Sequence, residues 1–234
     1  MTRSVLVTGG NRGIGLAVAR AFAEQGDAVA VTHRGSGAPD GLLGLRCDIT
    51  DPAQVDRAVA DAEAAHGPLD IVVANAGITA DKLALRMDDA DFHRVLDTNL
   101  GGAFRTARRA MESMVHRRRG RLVFISSVAG LRGSAGQANY ASSKAGLVGL
   151  ARSLARELGP RGITANVVAP GLVDTDMARQ LSDRQREHII GDVPLQRAGR
   201  PDEVAAAVLW LASEQAGYVT GAVIPVDGGL GMGH

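Results

Sequence analysis

Residues 4–15 read S-V-L-V-T-G-G-N-R-G-I-G, and this stretch decides the fold. Ser4–Val7 is a β-branched run that predicts a short strand, and a helical pattern from Leu16 to Gln25 follows the glycines. Glycine lets the backbone turn tightly and approach a ligand without a Cβ in the way. The start of a helix offers unpaired N–H groups and a positive dipole end to a phosphate. The strand, turn and helix therefore predict a nucleotide-binding unit, although such turns also join strands to helices with nothing bound.

Strand and helix patterns alternate along the rest of the chain. Apolar runs predict further strands at 27–32, 42–47, 69–74, 121–125, 163–168 and 222–226. Helical patterns cover 52–66, with Asp51 as the N-cap and Pro52 first, then 88–115, a stretch through Tyr140 to about 158, and 201–213. This alternation predicts one α/β domain over residues 1–234. It would be a Rossmann fold, a doubly wound parallel sheet of about seven strands with helices on both faces, which binds ligands at the carboxyl ends of its strands.

Composition and charge exclude several classes of protein. The 234 residues are 45% hydrophobic and carry a net charge of +1, which favours neither a nucleic-acid nor a membrane partner. Cys47 is the one cysteine, so an internal disulfide is excluded and a reducing cytosol fits. We find no signal peptide, no apolar run of membrane-spanning length and no histidine pair at metal-ligand spacing. The expectation is a cytoplasmic protein without a metal.

The end of the second predicted strand bears on the choice of cofactor. In dinucleotide-binding folds an acid near this point holds the ribose 2′-hydroxyl of NAD, whereas an arginine accommodates the 2′-phosphate of NADP. Here the strand ends in Thr32-His33-Arg34 without an acid, and Arg12 stands in the glycine turn. The two cations favour NADP(H). The alternative is that both are solvated loop arginines.

Tyr140-x-x-x-Lys144 suggests acid–base chemistry. A spacing of four puts both side chains on one face of a helix. A neighbouring ammonium favours the phenolate and lowers the tyrosine pKa, so that the phenol can act on a substrate oxygen. Ser127 follows the apolar strand at 121–125, where α/β proteins place their chemistry. By itself such a pair is more often an aromatic ring packed under a lysine stem.

Three other features also suggest a functional site. Asn99, with Gly101-Gly102, is unfavourable inside a helix and predicts a kink or a functional exception. Asn75-Ala76-Gly77 is a small-residue turn after a buried strand, through which a cofactor could pass. Residues 174–197 mix apolar side chains, Met177 among them, with charges, a pattern that fits a flexible substrate lid.

Residues 116–121, H-R-R-R-G-R, are the strongest charge run. Such a run is usually a solvated helix C-terminus whose cations complement the helix dipole. The alternative is a docking patch for an acidic partner. A nucleic-acid interface would rest on this run alone, against a nearly neutral chain with few aromatic residues.

Taken together, these motifs resemble those of the classical short-chain dehydrogenase/reductase family over essentially the whole chain. The matching residues are Thr8-Gly9-x-x-x-Gly13-x-Gly15, Asp48, Asn75-Ala76-Gly77, Asn99, Ser127, Tyr140-x-x-x-Lys144 and Pro170-Gly171. Within the family, the stretches G-G-N-R-G-I-G, G-Q-A-N-Y-A-S-S-K-A-G and G-A-V-I-P-V-D-G-G-L-G-M-G-H look most like 3-oxoacyl-[acyl carrier protein] reductases of the actinobacterial branch. One departure is Ala74, where the family usually has a second asparagine before Asn75.

The resemblance implies roles for four catalytic residues. Tyr140 would donate a proton to the ketone oxygen, and Ser127 would hydrogen-bond that oxygen and hold it in place. Lys144 would bind the nicotinamide ribose and lower the pKa of Tyr140. Asn99 would hold, through its kinked backbone, a water that refills the proton relay.

It also implies the cofactor contacts of NADP(H). Asn11, Arg12, Ile14 and Arg34 would hold the adenosine phosphate end. The glycine turn would contribute Gly9, Gly13 and Gly15, and the adenine pocket would contain Asp48 and Ile49. The ribose region would be contacted by Asn75 and Gly77, and the segment that closes over the nicotinamide would contain Pro170, Gly171, Val173 and Thr175.

The implied function is NADPH-dependent reduction of 3-oxoacyl-[acyl carrier protein] in fatty acid biosynthesis. Arg118 and Arg161 would meet the acidic carrier protein. A homotetramer is implied, with interfaces on the helices at 90–115 and 139–158 and on the C-terminal strand. The close alternative is a ketoreductase of polyketide or polyester-precursor biosynthesis. A non-catalytic nucleotide sensor is disfavoured because all four catalytic residues are present, and a serine hydrolase because no G-x-S-x-G occurs.

Overall fold

A parallel sheet runs through the centre of the molecule. The computed structural model describes residues 2–176 and 178–233. Its strands are β1 (Ser4–Val7), β2 (Ala28–His33), β3 (Leu43–Arg46), β4 (Ile71–Ala74), β5 (Gly120–Ile125), β6 (Ile163–Pro170) and β7 (Val223–Val226). They form a seven-stranded sheet in the order β3-β2-β1-β4-β5-β6-β7, and its strand pairings are parallel. The predicted fold class is thereby confirmed.

The helices lie on both faces of this sheet. They are α1 (Gly13–Glu24), α2 (Pro52–His66), α3 (Asp89–Leu96), α4 (Gly102–Arg117), α5 (Val128–Arg132), α6 (Ala138–Leu158), α7 (Asp183–Asp192) and α8 (Pro201–Leu211). Successive strand residues point to opposite faces, so Val5 and Leu6 enter different cores. Leu6 packs with α2, α4 and α6 on one face, and Val5 packs with α1 and α8 on the other.

The strand order locates the ligand crevice. From β1 the chain first builds β2 and β3 on one side and then places β4 to β7 on the other side. The order therefore reverses between β1 and β4, and a doubly wound sheet opens a crevice there at the carboxyl ends of its strands. The glycine turn follows β1, and Asn75 follows β4.

The start of α2 agrees with the prediction in detail. The Asp51 carboxylate accepts the backbone N–H groups of Ala53 at 2.9 Å and Gln54 at 3.3 Å. Pro52 occupies the first turn, where its missing N–H has no intrahelical role. Elsewhere most boundaries differ from the predicted ones by a few residues, as helix and strand ends commonly do.

The long helix predicted at 88–115 is interrupted where Asn99 suggested it would be. Asp97–Gly101 forms a π-helix between α3 and α4. Gly102 lets α4 approach the loop between β3 and α2, because a Cβ there would lie 2.4 Å from Cδ1 of Ile49. The predicted kink is thus a wide turn, which is a form that often marks functional sites.

The predicted lid at 174–197 contains a short 3₁₀ turn and helix α7. The helix begins with a reciprocal capping pair, in which Ser182 Oγ accepts the N–H of Gln185 and the Gln185 side chain accepts the N–H of Ser182. Met177 lies outside the described residues. Val193 of this segment packs against Val128 and Leu230, which ties it to the C-terminal residues.

Across the described ranges, none of the helices combines the length and apolar character needed to cross a bilayer. Nor do the residues described by the structure bring three or more His, Cys, Asp or Glu side chains together in a metal-binding group.

Candidate active site

The glycine turn after β1 is held by Asn75. The Asn75 amide Nδ2 donates to the carbonyls of Thr8 at 2.9 Å and Gly9 at 3.2 Å. A Cβ at Gly15 would lie 2.4 Å from both that nitrogen and the Gly9 carbonyl oxygen. Glycine at 15 is therefore required for β1, β4 and the first turn of α1 to meet. The predicted cofactor residue Asn75 thus uses the N–H groups of its side chain to hold the glycine turn.

Two threonines at strand ends complete this turn, and sequence reasoning missed both as site residues. Thr8 Oγ1 accepts the backbone N–H groups of Asn75 and Ala76, each at 3.0 Å. Thr32 Oγ1 accepts the N–H of Gly9 at 3.1 Å. Their signal in the sequence is a threonine at the end of an apolar strand, directly before a loop.

The beginning of α1 is open to an anion. Arg12 precedes the helix but makes no side-chain capping bond, and the first turn carries no acidic side chain. The first N–H groups of the helix are therefore not neutralised by a capping side chain, and they combine with the positive end of the helix dipole. A Cβ at Gly13 would lie 3.5 Å from Cγ2 of Thr175, so the start of the predicted lid borders the turn. These features fit the pyrophosphate of a dinucleotide.

The predicted adenosine end lies beside this turn. Arg12 and Arg34 are both exposed, and Asn11 Nδ2 donates to Ser36 Oγ at 2.7 Å between the loops that follow β1 and β2. Asp48 accepts the Thr50 N–H and hydroxyl, and these bonds, helped by the nearby Arg34 charge, lower the pKa of its carboxyl. The predicted cofactor residues Arg34 and Asp48, which follow β2 and β3, are therefore close enough for their charges to interact.

Ile49 and Ile14 occupy different environments within the same region. Ile49 is buried against the first residue of α4 and belongs to the hydrophobic core on that face of the sheet. Ile14 lies in the first turn of α1 and packs against the core on that face of the sheet.

Ser127, Tyr140 and Lys144 meet beyond the end of β5. Ser127 is the N-cap of α5 and its Oγ accepts the N–H of Ala129 at 3.2 Å. Tyr140 and Lys144 lie near the start of α6, where the Lys144 Nζ is 5.6 Å from the centroid of the Tyr140 ring. Lys144 Nζ also donates to the carbonyl of Ile125 at 2.8 Å. The one-face arrangement expected from the spacing is present.

Asn99 and Gly77 belong to the same group. The structure buries the Asn99 side chain, whose Oδ1 accepts the N–H of Ile78 at 2.8 Å. Its Nδ2 donates to the Ile78 carbonyl at 3.0 Å and to Ser143 Oγ at 2.9 Å. A Cβ at Gly77 would lie 3.1 Å from Asn99 Oδ1 and 3.4 Å from Lys144 Nζ. The turn after β4 and the π-helix therefore converge on Lys144.

The protonation equilibria at this centre are strongly shifted. Burial lowers the pKa of the Lys144 ammonium to about 8. Burial also raises the pKa of the Tyr140 phenol; a hydrogen bond from Ser127 opposes this shift, and the Asp81 charge adds to it. The expectation of a lowered Tyr140 pKa is therefore wrong. Burial destabilises the phenolate of Tyr140 by more than its neighbours stabilise it.

A segment at 78–82 is hydrogen-bonded to the start of α6 and to the two residues before it, a feature that the sequence did not suggest. The N–H of Lys82 donates to the Gly136 carbonyl at 2.9 Å. Asn139 Nδ2 donates to the Ala80 carbonyl at 3.0 Å, and Gln137 Nε2 donates to Asp81 at 2.8 Å. The segment thus holds the Asp81 carboxylate near Tyr140.

Pro170 and Gly171 carry the chain from β6 into the predicted lid. The N–H of Gly171 donates to the Val226 carbonyl at 3.1 Å, and a Cβ at Gly171 would lie 2.8 Å from the Cα of Asp227. Val173 is buried and forms a parallel bridge with Gly199. This part of the predicted cofactor site is therefore fixed to β7 and to the residues before α8.

Arg118 and Arg161, by contrast, lie away from the catalytic group. They precede β5 and β6, whereas Ser127 follows β5, so the six-residue strand, about 20 Å long, separates them. Arg118 donates to the Pro160 carbonyl at 2.7 Å, and Arg161 is exposed. In the same charge run Arg117 pairs with Asp70 at 2.8 Å. The run is therefore partly neutralised.

Comparison with known proteins gives a consistent result. The family model described as "Enoyl-(Acyl carrier protein) reductase" matches residues 9–231. The chain is 56% identical over 234 residues to the 3-oxoacyl-[acyl-carrier-protein] reductase MabA of Mycobacterium tuberculosis H37Rv, covering 100% of this chain and 95% of the relative. It is 46% identical over 235 residues to the 3-oxoacyl-[acyl-carrier-protein] reductase FabG of Escherichia coli K12, covering 97% and 96%.

Proposed function

Because this chain belongs to the short-chain dehydrogenase/reductase family and is therefore an oxidoreductase that uses a nicotinamide cofactor, we propose that it reduces 3-oxoacyl thioesters on acyl carrier protein with NADPH. The observation that carries this proposal is the convergence of Ser127, Tyr140 and Lys144 beyond the end of β5, beside the turn at Gly77. The names of its relatives supply the substrate class, and the fatty-acid pathway follows from that class.

The carbonyl oxygen of the substrate is held by Ser127 and Tyr140 in this proposal. Ser127 donates a hydrogen bond that positions the oxygen, and Tyr140 transfers its proton to that oxygen as the alcohol forms. A raised Tyr140 pKa keeps the phenol protonated at neutral pH, which is the form that a proton donor needs. NADPH, when bound, supplies the hydride that reaches the carbonyl carbon.

In this proposal Lys144 and Asn99 act on the protonation of Tyr140 and do not contact the substrate. With a pKa of about 8, the Lys144 ammonium is charged at neutral pH and can stabilise the phenolate that remains after proton transfer. The Asn99 side chain is fully engaged by Ile78 and Ser143. Its backbone, in the wide turn of the π-helix, is therefore the part that we assign to holding the water that reprotonates Tyr140.

The preference for NADPH over NADH rests on the end of β2. No acid stands there to bind a ribose 2′-hydroxyl, and Arg12 and Arg34 are exposed on both sides of the Asn11–Ser36 hydrogen bond. Two such charge-assisted donors stabilise a bound phosphate more than they stabilise a bound hydroxyl. The pyrophosphate is assigned to the uncapped start of α1, beside Gly13 and Gly15.

The acyl carrier protein would dock at Arg118 and Arg161. Since these residues lie a strand length, about 20 Å, from Ser127, the thioester must reach the site along the sheet or enter the site of a neighbouring chain. We propose a homotetramer, in agreement with two exposed apolar areas. One is the groove of Leu96, Leu100, Phe104 and Leu150 between the π-helix and α6; the other includes Trp210 and Tyr218 near β7.

The test is the steady-state rate of NADPH oxidation with acetoacetyl thioesters on acyl carrier protein and on coenzyme A, with NADH as the control cofactor. The proposal expects activity that requires NADPH and is faster on carrier protein. No oxidation with either thioester, in protein that binds NADPH, would contradict it. A ketoreductase of polyketide or polyester-precursor biosynthesis would use the same residues, and a profile of acyl substrates separates that alternative.

A further inference from the structure

The loop after β2 carries Arg34, on which the proposed NADPH preference depends. It reads Arg34-Gly35-Ser36-Gly37, and both glycines have positive φ angles, +149° and +78°. Glycine loses more conformational freedom on ordering than any other residue. Something must therefore hold this loop if Arg34 is to occupy one position.

His33 makes the required contacts. Its backbone is fixed as the last residue of β2, paired with Arg46, and its carbonyl accepts the N–H of Cys47 at 2.9 Å. Its imidazole Nδ1 accepts the N–H of Gly35 at 3.1 Å and the N–H of Gly37 at 3.3 Å. One ring nitrogen thus binds two amides of the loop, those of Gly35 and Gly37. Only a ring nitrogen without a proton can accept, so these two contacts require Nδ1 to carry none.

A second contact ties the loop to the glycine turn after β1. Ser36, between the two glycines, accepts a hydrogen bond from Asn11 of the glycine turn at 2.7 Å. Arg34 lies within the electrostatic reach of Asp48, whose pKa its charge helps to lower. The position of the Arg34 backbone therefore follows from a loop that is fixed by His33 at the strand and by Asn11 at the turn.

We propose that His33 is a positioning residue for cofactor selection. Its imidazole Nδ1 folds the loop at 34–37 and thereby keeps Arg34 and Ser36 in place for the 2′-phosphate of NADPH. The inference rests on the proposed NADPH preference and adds to it the residue that organises the phosphate site. Nothing in the reaction at Tyr140 depends on it.

Two variants separate the acceptor from the bulk of the side chain. His33→Asn keeps an acceptor, the amide oxygen, near the position of Nδ1, whereas His33→Leu keeps volume and loses the acceptor. The probes are adenosine 2′,5′-bisphosphate, which carries the discriminating phosphate, and adenosine 5′-monophosphate, which lacks it. Binding is measured by isothermal titration calorimetry on the full-length protein, and hydrogen exchange of the 34–42 segment is followed in parallel.

His33→Leu is expected to weaken bisphosphate binding about tenfold, the loss that two neutral hydrogen bonds would give, and to change monophosphate binding less than about twofold. Hydrogen exchange in the segment at 34–42 should accelerate. His33→Asn should restore bisphosphate affinity to within about threefold of the wild type.

Three outcomes would overturn the inference. Unchanged bisphosphate affinity in His33→Leu would show that the loop does not depend on the imidazole. Equal losses for both probes, or a His33→Asn variant as weak as His33→Leu, would show a general structural role. Equal affinity of the wild type for the two probes would instead contradict the proposed NADPH preference itself, so the two failures are distinguishable.

Discussion

Asn99 binds both backbone groups of Ile78, accepting its N–H at 2.8 Å and donating to its carbonyl at 3.0 Å. This pair joins the π-helix to the chain just after the Asn75–Gly77 turn. An asparagine that is unfavourable in a helix interior is thus explained by a contact made across 21 residues of sequence. The same contact positions the turn beside Lys144.

Asn99→Ala should destabilise the protein. It removes the two bonds to Ile78 and one to Ser143, and it leaves buried groups unsatisfied, at a cost of about 3 kcal/mol. For a chain of this size the expected fall in Tm is roughly 6–12 °C, measured by calorimetry. The matched control is Thr98→Ala, which removes one bond to Arg94 on the adjacent residue and should shift Tm far less. Equal shifts in the two variants would contradict this account of the π-helix.

Gly15→Ala should impair cofactor binding. The new Cβ would lie 2.4 Å from the Gly9 carbonyl oxygen, which belongs to the turn itself and cannot move without changing it. We expect the Kd for NADPH, measured by fluorescence titration, to rise by about tenfold or more. Gly191→Ala is the control, because a Cβ there meets nothing within 4 Å. Unaltered NADPH affinity in the Gly15 variant would mean that the turn does not hold the cofactor.

Arg34→Ala should weaken NADPH binding about 10- to 100-fold, the value of one charge-assisted contact to a phosphate. NADH binding should change little, since its ribose carries no phosphate. Dissociation constants for both cofactors provide the measurement, and Arg20→Ala, an exposed arginine on α1, is the control. Parallel losses for NADPH and NADH would exclude Arg34 as a reader of the 2′-phosphate.

Asp81→Asn should shift the pH dependence of turnover. The Asp81 charge helps to raise the pKa of Tyr140, so its removal lowers that pKa. Because the protonated phenol is the donor, the alkaline limb of the kcat/KM profile should move to lower pH. Asp89→Asn, an exposed acid at the start of α3, should leave the limb in place. A limb that moves to higher pH in Asp81→Asn would contradict the assignment of Tyr140.

Much of the fold could be predicted because its signals are local. Strand β1 has the predicted limits, and the Asp51–Pro52 start of α2 depends on residues next to each other in sequence. The interruption at Asn99 was also predicted, but its form as a π-helix was not. That form depends on Ile78 and Ser143, which are distant in sequence.

The site was predicted less completely, for a physical reason. Thr8, Thr32 and His33 contribute single oxygen or nitrogen atoms to neighbouring loops, and a polar residue at the end of an apolar strand does not by itself show which loop it will bind. The direction of the Tyr140 pKa shift depends on burial, which a helical spacing of four does not report. Arg118 and Ser127 are far apart because they lie at opposite ends of β5, and the residue types at these positions do not indicate that separation.

The assignment of Tyr140 as proton donor is tested most directly by Tyr140→Phe. Turnover with an acetoacetyl thioester should fall by about a factor of a hundred to ten thousand, the usual contribution of a general acid, while the Kd for NADPH stays within about twofold. Tyr218→Phe, at the exposed second tyrosine of the chain, should have wild-type values for both. A Tyr140→Phe enzyme that turns over at the wild-type rate would contradict the proposed mechanism.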